Sequence, residues 1–249
     1  TGLQNKLKVQ TKKPFEVQLT TIGLGNNLNS QILADMAPHG FIYLSDPGQI
    51  GGSMTNLIAH TKAVGNYNSV PLSSCEVRIF PSGVVVDALS YQLVSEKDYD
   101  VISIGPVLFD IPRNFIFKLK GSPYKIELVQ KSEYGDVIFK CEDFPILNCE
   151  DNMNSVKDRL YISSLLLKFD VDGPNHMRHI ALLQEYVESM KNSALKRDML
   201  KEMIPGLSKH TSWGRHYLRA FAPMLRDQRR SNFKDESFQE FIKDKHGKN

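Results

Sequence analysis

Residues Val17 to Ile50 read VQLTTIGLGNNLNSQILADMAPHGFIYLSDPGQI. Val17, Leu19, Thr21 and Ile22 form a short apolar and β-branched run, the composition of a strand, and Gly23-Leu24-Gly25 breaks it. Asn29 or Ser30 offers a cap to a helix whose inner face is Ile32, Leu33 and Met36, with Ala37 beside them. Pro38 cannot continue a helical ladder and Gly40 tolerates a left-handed backbone, so Pro38-His39-Gly40 ends that helix. Phe41 to Leu44 is a second strand, closed by Ser45-Asp46-Pro47-Gly48. Strand, crossover helix and strand within roughly thirty residues make a βαβ unit, which implies parallel pairing and a sheet covered by helices.

Outward from this unit the pattern changes twice. On the N-terminal side, Leu3 to Pro14 carries Lys6, Lys8, Lys12 and Lys13 without clear periodicity and reads as a solvated approach to the first strand. On the C-terminal side, Gly51 to Val64 has Met54, Leu57, Ile58 and Val64 at helical spacing, with Ser53 as cap and Gly65 as stop. The composition shifts at Asn66-Tyr67-Asn68-Ser69, and from Cys75 to Cys141 the period drops to two. Val77 and Ile79 lead into Pro81-Ser82-Gly83, and Val84-Val85-Val86 returns, which predicts a hairpin. Runs at Val101–Ile104, Phe115–Leu119, Lys125–Val129 and Val137–Cys141 continue the series, with a turn between each pair, as in a β-sandwich. Beyond Asn154 the helical period returns: Ser155–Phe169, Met177–Met190, Leu195–Ile204 stopped by Pro205-Gly206, and Ser212 to about Arg230, joined by short loops. The expected fold class is therefore multidomain: α/β over 1–66 with a partial, Rossmann-like parallel sheet, an all-β sandwich over 67–150, and a C-terminal helical bundle over 151–249.

Composition narrows the function classes. With 41% hydrophobic and 24% charged residues the chain has the make-up of a globular protein, and no apolar run approaches the roughly 18 residues a membrane span needs. A net charge of +3 is too small for the whole chain to bind nucleic acid by electrostatics alone. Ten Lys and Arg stand against three Asp and Glu between Lys191 and Arg230, but they alternate with Leu, Met and Phe as on a solvated helical face, and no groove-reading motif accompanies them. Cys75, Cys141 and Cys149 lack metal-ligand spacing, and so sparse a set reads as a reducing compartment, hence an intracellular, cytoplasmic location.

The residues with chemical potential form no catalytic or metal set. Gly23-Leu24-Gly25 fails as a dinucleotide fingerprint because Leu28 stands where the third glycine is needed. His176 and His179 lie three apart, but no Cys or carboxylate completes a ligand set in sequence, so capping or surface roles are expected. Cys75 has no base defined by a motif. His210, Trp213, His216 and Tyr217 have the composition of an active site; the plainer role for Trp213, the only tryptophan, is to lock the last helix onto its neighbours, with Tyr217 and Phe233 as further anchors. No catalytic residue, metal ligand or cofactor is assigned, and no particular protein-binding residue is named.

Two stretches carry a family resemblance. TIGLGNNLNSQILADMAPHGFIYLSDPGQIG, Thr21 to Gly51, resembles the C-terminal half of a von Willebrand factor type A domain: a strand ending T-I-G-x-G, a helix, a glycine, a tyrosine-containing strand and a polar turn. The resemblance covers about the first sixty-five residues. It implies a chain that begins mid-domain, whose upstream strands would cover the Val17–Ile22 edge. The family's Asp-x-Ser-x-Ser metal loop has no counterpart in a strand context, and Thr1 of Thr1-Gly2 occupies the place of a later metal-linked aspartate. Near the C-terminus, Trp213-Gly214-Arg215-His216-Tyr217, then Gln228, Asn232-Phe233-Lys234-Asp235 and Gln239, is similar to the W-G-x-H-Y…Q…N-F-K-D…Q signature of multidomain proteins that join a type A domain to a sandwich and helices, often with a Hint or U-box module. No cysteine follows Arg230 and no Hint or U-box signature is present, so neither self-splicing nor ubiquitin transfer carries over. What the resemblance implies is a non-catalytic module that binds other proteins as a structural or scaffold part of a larger complex. The other expectations are a substrate-recruiting region of a ubiquitin-ligase-type protein, and a binder of anionic surfaces or nucleic acid through the basic C-terminal helices.

Overall fold

Strand β1 (Thr21–Leu24) lies parallel to β2 (Phe41–Leu44) in the register Thr21↔Phe41 to Leu24↔Leu44, with helix α1 (Ser30–Met36) as the crossover. The predicted βαβ unit is therefore present in a computed structural model that describes residues 19–37, 40–65, 74–105, 113–131, 135–141, 150–169, 174–191, 193–208 and 212–228. The strand does not break at Gly23, as the sequence predicts; it runs through Leu24 and ends at Gly25, whose φ is +77°. Phe41 and Leu28 occupy the space over Gly23, and a Cβ there would sit 3.2 Å from Phe41 Cε2. The Asn29 side chain caps α1 by accepting from the Ile32 N–H at 3.1 Å. Ile32 itself is 55% exposed, against the expectation that it faces inward; Leu33, Ala34 and Ala37 turn to the strands instead. Thr21 Oγ1 donates to the Leu33 carbonyl at 2.7 Å and helps set that helical rotation.

After β2, Asp46 caps a 3₁₀ turn at Pro47–Gln49, and helix α2 (Ile50–Gly65) follows. Ser53 is not the cap expected of it. It is buried and donates to the Gln49 carbonyl at 2.8 Å, while Met54 and Ile58 of the predicted inner stripe are exposed.

The described residues of 19–57 and 162–228 group into one compact unit, and those of 58–161 into a second. The second unit is built on a five-stranded antiparallel sheet, β5–β6–β3–β8–β9, from β3 (Ser74–Phe80), β5 (Gln92–Ser95), β6 (Asp100–Gly105), β8 (Lys125–Lys131) and β9 (Val137–Cys141). A two-stranded ribbon pairs β4 (Val85–Asp87) with β7 (Lys118–Leu119). Cys75, Val77 and Ile79 of β3 and Ile102 and Ile104 of β6 form a core with Val84, Val85, Ala88 and Tyr91, joined by Leu160 from helix α3 (Glu150–Leu167). The hairpin predicted between Val77–Ile79 and Val84–Val86 does not form. The neighbours of β3 are β6 and β8, and β4 goes to β7.

In the first unit one apolar core unites the end of α3 with α4 (His176–Ser189), α5 (Ala194–Asp198), a π-helical turn (Met199–Met203), α6 (Ile204–Ser208) and α7 (Ser212–Asp227). Ile162, Leu166, Leu183, Val187, Met199, Leu207, Leu218 and Phe221 are among its most buried members. The predicted stop at Pro205-Gly206 is absent: α6 follows directly on the π-helical turn, where the Ile204 N–H reaches back to the Met199 carbonyl, and the chain stays helical through Ser208. Lys196 Nζ donates to the carbonyls of Glu188 and Met190 at 2.6 and 2.9 Å and closes the C-terminal end of α4. Ser163 Oγ donates to the Ala222 carbonyl at 2.8 Å and joins α3 to α7 beside Pro223.

Candidate functional site

Around β2 the first unit brings together residues far apart in sequence. Phe41 and Tyr43 point to one side of the strand pair, where Leu28, Leu33 and Ala34 meet Tyr217 and Ala220 of α7. The ring of His216 lies 5.3 Å from that of Tyr43 and is buried. Its Nε2 stands 3.0 Å from the Asn26 carbonyl, which can only accept, so Nε2 carries a proton. In the neutral ring Nδ1 is then the acceptor and takes a hydrogen bond from the Ser30 hydroxyl at 2.9 Å. Tyr43 donates its phenol to Asn26 Oδ1 at 3.0 Å, and burial pushes the Tyr43 phenol above its ordinary pKa.

A serine hydroxyl donating to a histidine of fixed tautomer is the starting geometry of an activated nucleophile. Ser30 and His216 are each only 4% exposed, however, so neither is presented to a substrate in this arrangement. As placed, the pair fastens α7 to the N-terminus of α1 and the loop before it.

The other side of the strand pair is covered at Leu44, which is fully buried, but not along β1. No described residue pairs with the outer edge of β1, and Ile22 and Leu24 are 37% and 45% exposed. Ile50 and Met54, four residues apart on α2, are exposed as well. Parallel strands normally lie inside a sheet with both faces covered.

In the second unit several charged groups have well-defined partners. Asp100 is buried and accepts from the Gly83 and Val85 N–H groups and from the Ser95 hydroxyl, at 2.8, 2.9 and 2.7 Å. Arg78 pairs with Glu76 at 2.7 Å, reaches Asp136 at 3.5 Å and stacks on Tyr99. Burial works against the Arg78 charge, but the Glu76 carboxylate outweighs it and raises the pKa. Lys125 lies 4.4 Å above the Phe80 ring and pairs with Glu127.

Of the residues singled out from sequence, His216 and Tyr217 meet at the fastening, and Tyr217 stacks on Phe221 with ring centroids 5.8 Å apart. The Trp213 side chain, His210, Phe233 and Cys149 lie outside the described residues. His176 is not at the surface: it is buried edge-on against Phe169 at 5.1 Å, and His179 flanks the same ring at 6.0 Å. Among the described residues no group of three or more His, Cys, Asp or Glu is placed to hold a metal ion. Cys75 is buried in the sheet core. Among the described residues no helix is long and apolar enough to cross a membrane. Sequence reasoning missed Ser30 and Asn26 as partners of His216; neither spacing nor periodicity links positions separated by 186 and 190 residues.

Comparison of the chain with protein-family models, with curated proteins and with solved structures finds no match.

Proposed function

We propose that this protein is a non-catalytic protein–protein interaction module, a scaffold component of a larger intracellular assembly. In this reading β1–α1–β2 is the C-terminal half of a type A-like sheet, the antiparallel sheet with its ribbon is a sandwich, and the C-terminal helices are a bundle. The observation that carries it is an outer edge of a parallel strand pair that no described residue pairs, flanked by exposed Ile22 and Leu24. A parallel edge is a template for another strand, and an apolar face beside it favours a partner that covers it. The sparse cysteines fit a reducing compartment.

The test is a paired affinity isolation from native extract with the wild-type chain and the Ile22→Lys/Leu24→Lys double variant, both checked for an unchanged thermal melt. The expected result is a set of proteins retained by the wild type and lost by the variant. Identical sets from two equally folded baits would refute the reading.

A further inference from the structure

Strand β9 runs along the outside of the five-stranded sheet, paired with β8 on one side and with no described residue on the other. Val137, Ile138 and Phe139 are 43%, 46% and 53% exposed. A strand apolar on both faces thus stands at a sheet edge, where folded proteins ordinarily place charge or cover. Exposed Asp136 precedes the strand and exposed Lys140 falls four residues later. Alternate residues of a strand share a face, so Asp136, Ile138 and Lys140 lie on one side and Val137 and Phe139 on the other.

We propose that β9 is the contact strand of a homodimer, in which the same strand of a second copy pairs antiparallel with it about a two-fold axis at Ile138. In that register Asp136 stands opposite the partner subunit's Lys140, and Lys140 opposite the partner subunit's Asp136. Val137 and Phe139 face each other across the axis on the apolar side, and Ile138 meets its own copy. Opposite charges and apolar pairs directly across antiparallel strands are stabilising, and like charges are not. A register centred one residue later, on Phe139, sets Lys140 against Ile138 and makes neither ion pair, so the charge pattern selects the first. Asp136 touches Arg78 through Oδ2 alone, at 3.5 Å and with its side chain 41% exposed, which leaves Oδ1 for the lysine. Pairing would join two five-stranded sheets into one continuous sheet and remove the open edge from both copies. This contact involves β9 alone and does not rest on the reading of β1.

Sedimentation velocity on the full chain, from roughly micromolar to roughly hundred-micromolar concentration where small interfaces assemble, reads the result directly. The wild type is expected to move from one chain mass to two across that range. Asp136→Lys and Lys140→Asp should each abolish the dimer, because each sets like charges against one another at both ends of the strand. The charge-swapped double variant, Asp136→Lys with Lys140→Asp, should regain it. A wild type that stays monomeric throughout, a dimer that either single variant leaves intact, or a folded double variant that stays monomeric would overturn the proposal. Circular dichroism confirms the fold of each variant. Should one fail to fold, Ile138→Lys replaces it and must give a monomer, since it places two ammonium groups on the axis.

Discussion

Asp100 is a carboxylate held charged in the interior of the sheet unit, and the donors around it keep it so. Burial alone would raise its pKa; hydrogen bonds from the Val85 N–H, the Ser95 hydroxyl and the Gly83 and Val84 N–H groups outweigh that and hold it below the usual carboxylate range. A folded-state pKa below the unfolded one contributes stability that is complete above the unfolded value, near pH ~4. That contribution is lost as pH falls from there through the folded value. Asp100→Asn keeps the shape but turns an amide donor toward N–H groups, and should cost about 1–3 kcal/mol at neutral pH. Urea unfolding at neutral and acid pH checks this: the gap between wild type and variant should narrow below pH ~4. A gap that stays constant would show that the carboxylate's charge is not what the donors hold. The same residue explains the missing hairpin, because its hold on Gly83 and Val85 directs the chain after the turn toward the ribbon. A motif of apolar runs around Pro81-Ser82-Gly83 carries no trace of a carboxylate that lies 17 residues beyond the glycine.

At the scale of elements, α7 is attached to the strand pair both by packing and by the His216 hydrogen bonds. His216→Ala should cost about 2–3 kcal/mol, since it removes a buried ring and leaves the Ser30 hydroxyl and the Asn26 carbonyl without it. Ser30→Ala alone should cost less, and the double variant should fall short of the sum by roughly 0.5 kcal/mol or more, as contacting residues do. Strict additivity in chemical unfolding would mean that the two side chains do not act together. The βαβ unit itself was legible because its signals are local: a cap at Asn29, a stop before Gly40 and two short β-rich runs. Which side of each helix faces inward was less legible. Ile32 has the residue type of a core position yet is exposed, because the short helix α1 is rotated by what packs on it: Leu33 and Ala34 meet Phe41 and Tyr43. On α2 Met54 is likewise exposed, while the polar Ser53 beside it is buried. The β4–β7 ribbon and the π-helical turn at Met199–Met203 likewise depend on distant partners that a local period does not encode.

For the molecule as a whole, the described residues that begin one compact unit and those that complete it are separated by the entire sheet unit. Three sequential domains, over 1–66, 67–150 and 151–249, are what changes of period predict, and a period cannot report that the first stretch and the last share a core. Phe41 and Tyr43 are covered in part by Tyr217 and Ala220. Deleting residues 212–249 should therefore raise amide exchange at Thr21–Leu24 and Phe41–Leu44, while the central strands Ser74–Phe80 and Lys125–Lys131 keep their protection. Mass-resolved hydrogen exchange on the truncated and full chains makes the comparison. Unchanged exchange in β1 and β2 would show that the strand pair stands without its C-terminal helix.

The separation of 186 positions between Ser30 and His216 is also an interval of time on the ribosome. At ordinary elongation rates the Ser30 hydroxyl emerges roughly ten to forty seconds before the imidazole that will accept from it. Throughout that wait Phe41 and Tyr43 lack the residues of α7 that later shield them, while the intervening sheet has time to fold. The nascent chain is thus a natural client for holdase chaperones, and its yield should fall when they are depleted and recover when translation is hastened.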